Sequence, residues 1–170
     1  MKRHHHLFHP GNNMHRLIAT ALGASLVSHA ALAQVQPPPG RQAVNPPGLA
    51  PLVPAYSIVV RAGEMAFVSG MTGIKPGTQD IVDGGVRAQT RQAMENIRTA
   101  VEAVGSNMDR VAECTVFLLD MSDYAAMNEV YVTFFPVSPP SRATVAVTAL
   151  PRPAARVEIK CSAQISAAKK

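Results

Sequence analysis

The chain has no tryptophan, and aromatic side chains make up only 5% of its 170 residues. Histidine is confined to one end: His4, His5, His6, His9, His15 and His29 all lie within the first 33 positions. Residues 34–170 have none, which excludes from them a Ser-His or Cys-His nucleophile pair, a histidine-ligated metal and a histidine acid or base. Charge is sparse at 16%. The formal net charge of +5 suggests a nucleic-acid binder, but Lys2, Arg3 and Arg16 sit in the acid-free first 33 residues. Without them 13 basic residues face 11 acidic ones, a charge of +2, which is no basic patch. RNA stacking would also need exposed aromatics among basic residues. No partnership with nucleic acid is expected. Disorder is excluded as well, because 47% of the residues are hydrophobic and the net charge is small. At 18.0 kDa there is room for one ordinary domain and not for two large ones.

Long apolar runs are absent except one, Leu17–Val27, which is too short to span a bilayer. Basic and polar residues precede it, and Ala31-Leu32-Ala33 follows as a small-x-small cleavage site. This three-part pattern is that of a secretory signal over residues 1–33, with cleavage before Gln34, a start at Met1 or Met14, and the general secretory route. The competing reading is an amphipathic N-terminal helix that stays attached. His4-His5-His6 reads as part of the polar leader and not as a metal site. The protein is expected in a periplasm or outside the cell, with no membrane association after cleavage. Cys114 and Cys161 are the only cysteines. That compartment permits a disulfide between them, but both sit in strand-like runs where buried free thiols are common, so either state fits.

Proline is unevenly spread. Residues 34–54 hold 7 of the 14 prolines. Such a stretch cannot feed a helix or an inner strand, and it reads as an extended arm or linker before a domain over residues 55–166 and a tail over 167–170. A role as a polyproline ligand is a lesser alternative.

The domain shows a regular pattern. Ser57–Val60 and Met65–Gly70 are β-rich runs around a Gly63 turn. Residues 86–104 read as a helix, with Met94, Ile97, Val101 and Val104 on one face and Gly105 ending it. Residues 111–119 form a dense apolar strand. A helix capped by Ser122 or Asp123 runs to Phe135, with Tyr124, Met127, Tyr131 and Phe134 on its buried side. Strands follow over 144–150 and 156–165; in the last, Val157, Ile159, Cys161, Ala163 and Ile165 face one way and Glu158, Lys160, Ser162 and Gln164 the other. The order ββαβαββ predicts an α+β fold, a mixed sheet with two helices packed on one face. The other face lacks a helix and calls for burial between subunits.

Without histidine, the chemistry must come from other groups. Arg142 follows Ser138-Pro139-Pro140-Ser141 at a strand mouth, where a guanidinium can grip a carboxylate by two parallel hydrogen bonds. A solvated loop arginine is the plainer reading. Glu158 is an acid inside a strand, which fits either a functional group or a cross-strand pair with Lys160. Asn128 sits mid-helix, where asparagine weakens the helix. Tyr56 follows the proline-rich stretch. A Schiff-base role for Lys160 has no marked apolar pocket to support it.

Seven segments in order then carry a resemblance: Phe67-Val68-Ser69-Gly70, Gln89–Ile97, Thr115–Asp120, Asn128–Tyr131 with Phe134-Phe135, Pro140–Val145, Leu150-Pro151 and Val157-Glu158-Ile159. From Tyr56 to Ile165 the chain resembles the RidA (YjgF) family of enamine and imine deaminases. The resemblance implies a chorismate-mutase-like fold and a homotrimer with three inter-subunit clefts. It also implies hydrolysis of short-lived 2-imino acids of the 2-aminoacrylate type to 2-keto acids and ammonia. It assigns the substrate carboxylate to Arg142 and the attacking water to Glu158, as the catalytic pair. Tyr56, Asn128 and the backbone at Thr144 become substrate-binding positions. No metal or organic cofactor is implied. The chain departs from the family at Ala55 in place of proline, Ile58 in place of glutamine, Met71-Thr72-Gly73 in place of Gln-Ile-Pro, and Lys160 in place of a frequent acid. Its loop Pro136–Ser141 is short. Competing roles are a non-catalytic carboxylate-binding module and a chaperone-like holdase.

Overall fold

The computed structural model describes residues 39–165. The expected leader, the first residues of the proline-rich stretch and the C-terminal tail lie outside them. The strands are β1 (Arg41–Val44), β2 (Val59–Ala62), β3 (Met65–Val68), β4 (Met71–Thr72), β5 (Val111–Leu118), β6 (Ser141–Ala146) and β7 (Val157–Gln164). The helices are α1 (Gly85–Glu102) and α2 (Tyr124–Tyr131). One mixed sheet runs β1-β2-β3-β7-β5-β6, with β4 paired to β7. Every pairing is antiparallel except β5 with β6. No described helix is long and apolar enough to cross a membrane.

Alternation along β7 divides the sheet into two faces. Val157, Ile159, Cys161 and Ala163 are buried with Val116 and Leu118 of β5 beneath the helices. Met94, Ile97 and Val101 of α1 meet them at 0% exposure, on the face that the helical spacing defines. The chain reverses after α1 at Gly105, whose φ of +83° is costly for any other residue. The buried Gln89 is satisfied: it donates to the Ala154 carbonyl at 3.0 Å and accepts the Arg156 N–H at 2.7 Å. The opposite face carries Phe67 at 48% and Val145 at 43% exposure.

Three expectations change. The proline-rich stretch is part of the domain from Arg41 on. Its β1 is an edge strand on β2, a position where no inner ladder suffers from nearby prolines, and Leu49 is buried in the core. Neither Ser122 nor Asp123 caps α2 by its side chain. Asp120 accepts the Ser122 N–H at 2.8 Å, and Asp123 instead binds Arg156 through both carboxylate oxygens, at 2.8 and 3.0 Å. That ion pair ties the start of α2 to the start of β7. Finally, Tyr124 is 38% exposed and not part of the buried side of α2.

Cys114 of β5 and Cys161 of β7 are directly opposed and joined by a disulfide. The sequence separation of 47 residues means that the bond restricts the unfolded chain considerably. Both residues are buried, at 0% and 2% exposure. Denatured, unreduced protein is therefore expected to show no free thiol in a thiol titration. Replacing both cysteines by alanine should cost about 2–4 kcal/mol in urea unfolding.

Candidate active site

Arg142 opens β6 opposite Cys114, and so projects to the helix side of the sheet. There its Nη1 donates to Asn128 Oδ1 at 2.7 Å and its Nη2 to the Tyr124 hydroxyl at 3.2 Å. Its guanidinium carbon lies 4.6 Å from the centre of the Tyr131 ring. A guanidinium over an aromatic face is held by the ring's negative face, and two fixed acceptors set its rotation. Three of its five N–H bonds remain for a ligand. Burial pushes the Tyr131 phenol up to about 12, against the opposing pull of Arg142, so the ring stays neutral beneath the cation. The backbone of Thr144 lies on the same edge strand, whose alternate N–H groups point away from β5. The Thr144 hydroxyl is buried with no hydrogen-bond partner among the described residues.

Glu158 occupies the other face. It is half-buried beside β4, opposite Thr72, and makes no ion pair among the described residues. The salt bridge to Lys160 that neighbour spacing allows is not formed; Lys160 points to solvent. Loss of hydration raises the Glu158 pKa above the ordinary glutamate value, because burial penalises the ionised form. Gly70 makes its position possible. A methyl group on Gly70 would fall 2.1 Å from Glu158 Oε1.

Glu158 and Tyr56 share a cavity of about 410 Å³. The Tyr56 hydroxyl accepts the Leu52 N–H at 2.7 Å and keeps its own proton to donate. Thus the five expected positions fall into two groups. Arg142, Asn128 and Thr144 gather at the β6 edge on the helix side. Glu158 and Tyr56 gather on the open side. Register places Arg142 level with Cys161, two strands over and three residues along from Glu158, about 10 Å in each direction at ~4.8 Å per strand and ~3.3 Å per residue. The intervening sheet keeps the two groups from one small ligand within a single chain.

Sequence reasoning missed Tyr124 and Tyr131 as partners of Arg142. Tyr124 lies four residues before Asn128, so both stand on one stripe of α2. That spacing was the available signal. Nothing in the sequence marked Gly70 as the seat of Glu158, since β4 and β7 are far apart in the chain.

The profile of the family described as Endoribonuclease L-PSP matches residues 48–165, and the chain belongs to this family, the YjgF/RidA proteins. Protein DfrA of Myxococcus xanthus is 44% identical over 105 residues, 62% of this chain and 79% of that protein. A 2-iminobutanoate/2-iminopropanoate deaminase of Mus musculus is 39% identical over 108 residues, 64% of this chain and 79% of that protein. The solved structure of E. coli TdcF with bound serine superposes with a TM-score of 0.68 at 31% identity, over 74% of this chain and 99% of that one.

Gly70→Ala should drive the Glu158 carboxylate out of its half-buried seat. Carboxyl ¹³C NMR is expected to show Glu158 titrating at lower pH in that variant than in the wild type. An unchanged titration would mean that the carboxylate does not rest on Gly70.

Proposed function

We propose that this protein hydrolyses 2-imino acids and their enamine tautomers to 2-keto acids and ammonia, as an exported homotrimer. The observation that carries the reading is the guanidinium of Arg142, held by Asn128, Tyr124 and Tyr131 with N–H bonds to spare for a planar carboxylate. The deaminase name of the mouse relative supports the reaction class. That a relative has been solved with serine supports a small amino-acid-like ligand. The low charge of residues 34–170 and their lack of histidine favour this chemistry over RNA cleavage.

The split site supports assembly. A cleft between copies brings Arg142 of one subunit to Glu158 and Tyr56 of the next, and the exposed Phe67 and Val145 supply apolar surface for the contact. The leader pattern and the Cys114–Cys161 disulfide both support an oxidising compartment.

In the proposed reaction Arg142 fixes the carboxylate, so that the imine carbon faces a water held by Glu158. Glu158 takes a proton from that water as oxygen bonds to carbon. Glu158 returns that proton to nitrogen, giving the neutral carbinolamine; it then takes the hydroxyl proton and passes it to the amine as the C–N bond breaks, which releases ammonia and leaves the ketone. Glu158 must start ionised. Its pKa is raised, so kcat/KM should fall with decreasing pH through a value above that of ordinary glutamate, and Glu158→Gln should lack this limb. Ionised Glu158 also costs the fold stability above its raised pKa, a penalty absent below its unfolded value. Glu158→Gln is therefore expected to be no less stable than wild type at pH 8.

The deciding test is keto-acid release from freshly generated 2-iminopropanoate and 2-iminobutanoate. Arg142→Lys keeps the charge and loses the flat two-pronged contact. It should lose about tenfold to a hundredfold in rate, the equivalent of ~1.5–3 kcal/mol for one charge-assisted hydrogen bond. Wild-type turnover in Arg142→Lys would reduce Arg142 to a structural arginine. Binding of 2-ketobutanoate without any turnover of imines would replace the enzyme by a carboxylate-binding module.

A further inference from the structure

We infer that the preferred substrates carry a bulky apolar side chain, of the size found in leucine, methionine or phenylalanine, and that the cavity beside Glu158 receives it. The inference rests on the deaminase reading for its reaction and on the cavity for its specificity.

A three- or four-carbon acid leaves much of the cavity unfilled. The cavity volume of about 410 Å³ lies within the ~300–1,000 Å³ typical of pockets for much larger ligands. Leu49, Leu52, Val53, Ile58, Met71 and Ile74 line it. Of the polar side chains in the lining, Ser69 and Thr78 are engaged within the protein: Ser69 donates to the Ser57 carbonyl at 2.7 Å, and Thr78 to the Lys75 carbonyl at 2.9 Å. Arg152, the basic residue in the lining, places both terminal nitrogens on Gln79, at its carbonyl and at its side-chain oxygen. Both contacts are to neutral groups, so Arg152 keeps its charge. An acidic side chain in the cavity would meet the carboxylate of Glu158 and forgo the burial that the apolar lining offers.

Leu52 and Val53 are 42% and 49% exposed, although they border a cavity. They belong to the proline-rich stretch, which is secured at Leu49, whose N–H donates to the Pro46 carbonyl at 3.0 Å, and at Tyr56 through the Leu52 N–H. A substrate whose carboxylate is held from the neighbouring subunit and whose imine carbon faces Glu158 points its side chain toward these residues. Covering them removes apolar surface from water, and each buried methylene is worth about fourfold in affinity at ~0.8 kcal/mol. A methyl side chain gains little of this; an isobutyl or benzyl group gains most of it.

The test uses the full-length protein and imines generated in place by an L-amino-acid oxidase from alanine, leucine, methionine, phenylalanine and glutamate. Turnover is read by competition with semicarbazide. kcat/KM for the leucine-derived imine should exceed that for the alanine-derived one at least tenfold, with glutamate the poorest. Leu52→Ser, at an exposed position, and Met71→Gln should each lower the leucine-to-alanine ratio at least fivefold. Binding of 4-methyl-2-oxopentanoate against pyruvate by calorimetry gives a second readout without catalysis, and the same tenfold preference is expected. Good turnover with a ratio near one, or a preference for the alanine- or glutamate-derived imine, overturns the inference and leaves the deaminase reading standing. A tenfold binding preference without turnover overturns the deaminase reading and leaves the specificity standing. Equal binding of both keto acids by a protein without turnover overturns both.

Discussion

The two-residue period of β7 is the constraint from which the rest of this molecule follows. The strand lies between β3 and β5 and also carries β4, so its register is determined from both sides. A shift by one residue would exchange Val157, Ile159, Cys161 and Ala163 with Glu158, Lys160, Ser162 and Gln164. The core would then contain charges, and the carboxylate beside the cavity would be lost. The disulfide to Cys114 secures the same register covalently. One strand thus serves as the floor of the core and as the support of the site, on its two faces.

That arrangement accounts for the divided site. Within one chain the sheet separates Arg142 from Glu158. Glu158 keeps its raised pKa from desolvation alone, and Arg142 is held by neutral groups: an amide, a phenol and an aromatic face. The Asp123–Arg156 pair anchors the helix that supplies those groups to the strand that supplies Glu158. Although the two groups lie on opposite faces, they are set by one connected framework.

The proline-rich stretch shows how composition can mislead about boundaries. Prolines exclude an inner strand, and the structure agrees, because β1 is at the edge. They do not exclude packing. Proline-limited backbone loses less freedom on ordering than a flexible loop does, so a stretch such as residues 46–56 can border a cavity at modest entropic cost. Leu49, Leu52 and Val53 then act as domain residues and not as a tether.

Local periodicity was enough to read the two helices, the main strands and the two faces of the last strand from the sequence, because core burial selects apolar residues at a spacing set by backbone geometry. Arg142, Glu158, Asn128 and Thr144 stood out as candidates through short segments in family order, and Tyr56 through its place at the start of the resembling stretch. Their grouping did not. Whether Arg142 and Glu158 share a face depends on strand order and register across residues far apart in the chain, and so do the union of Cys114 with Cys161 and the seat of Glu158 on Gly70. Such pairings are decided by the packing of the whole sheet. No local pattern encodes them, since the same alternation of side chains satisfies more than one neighbour until the tertiary structure selects one.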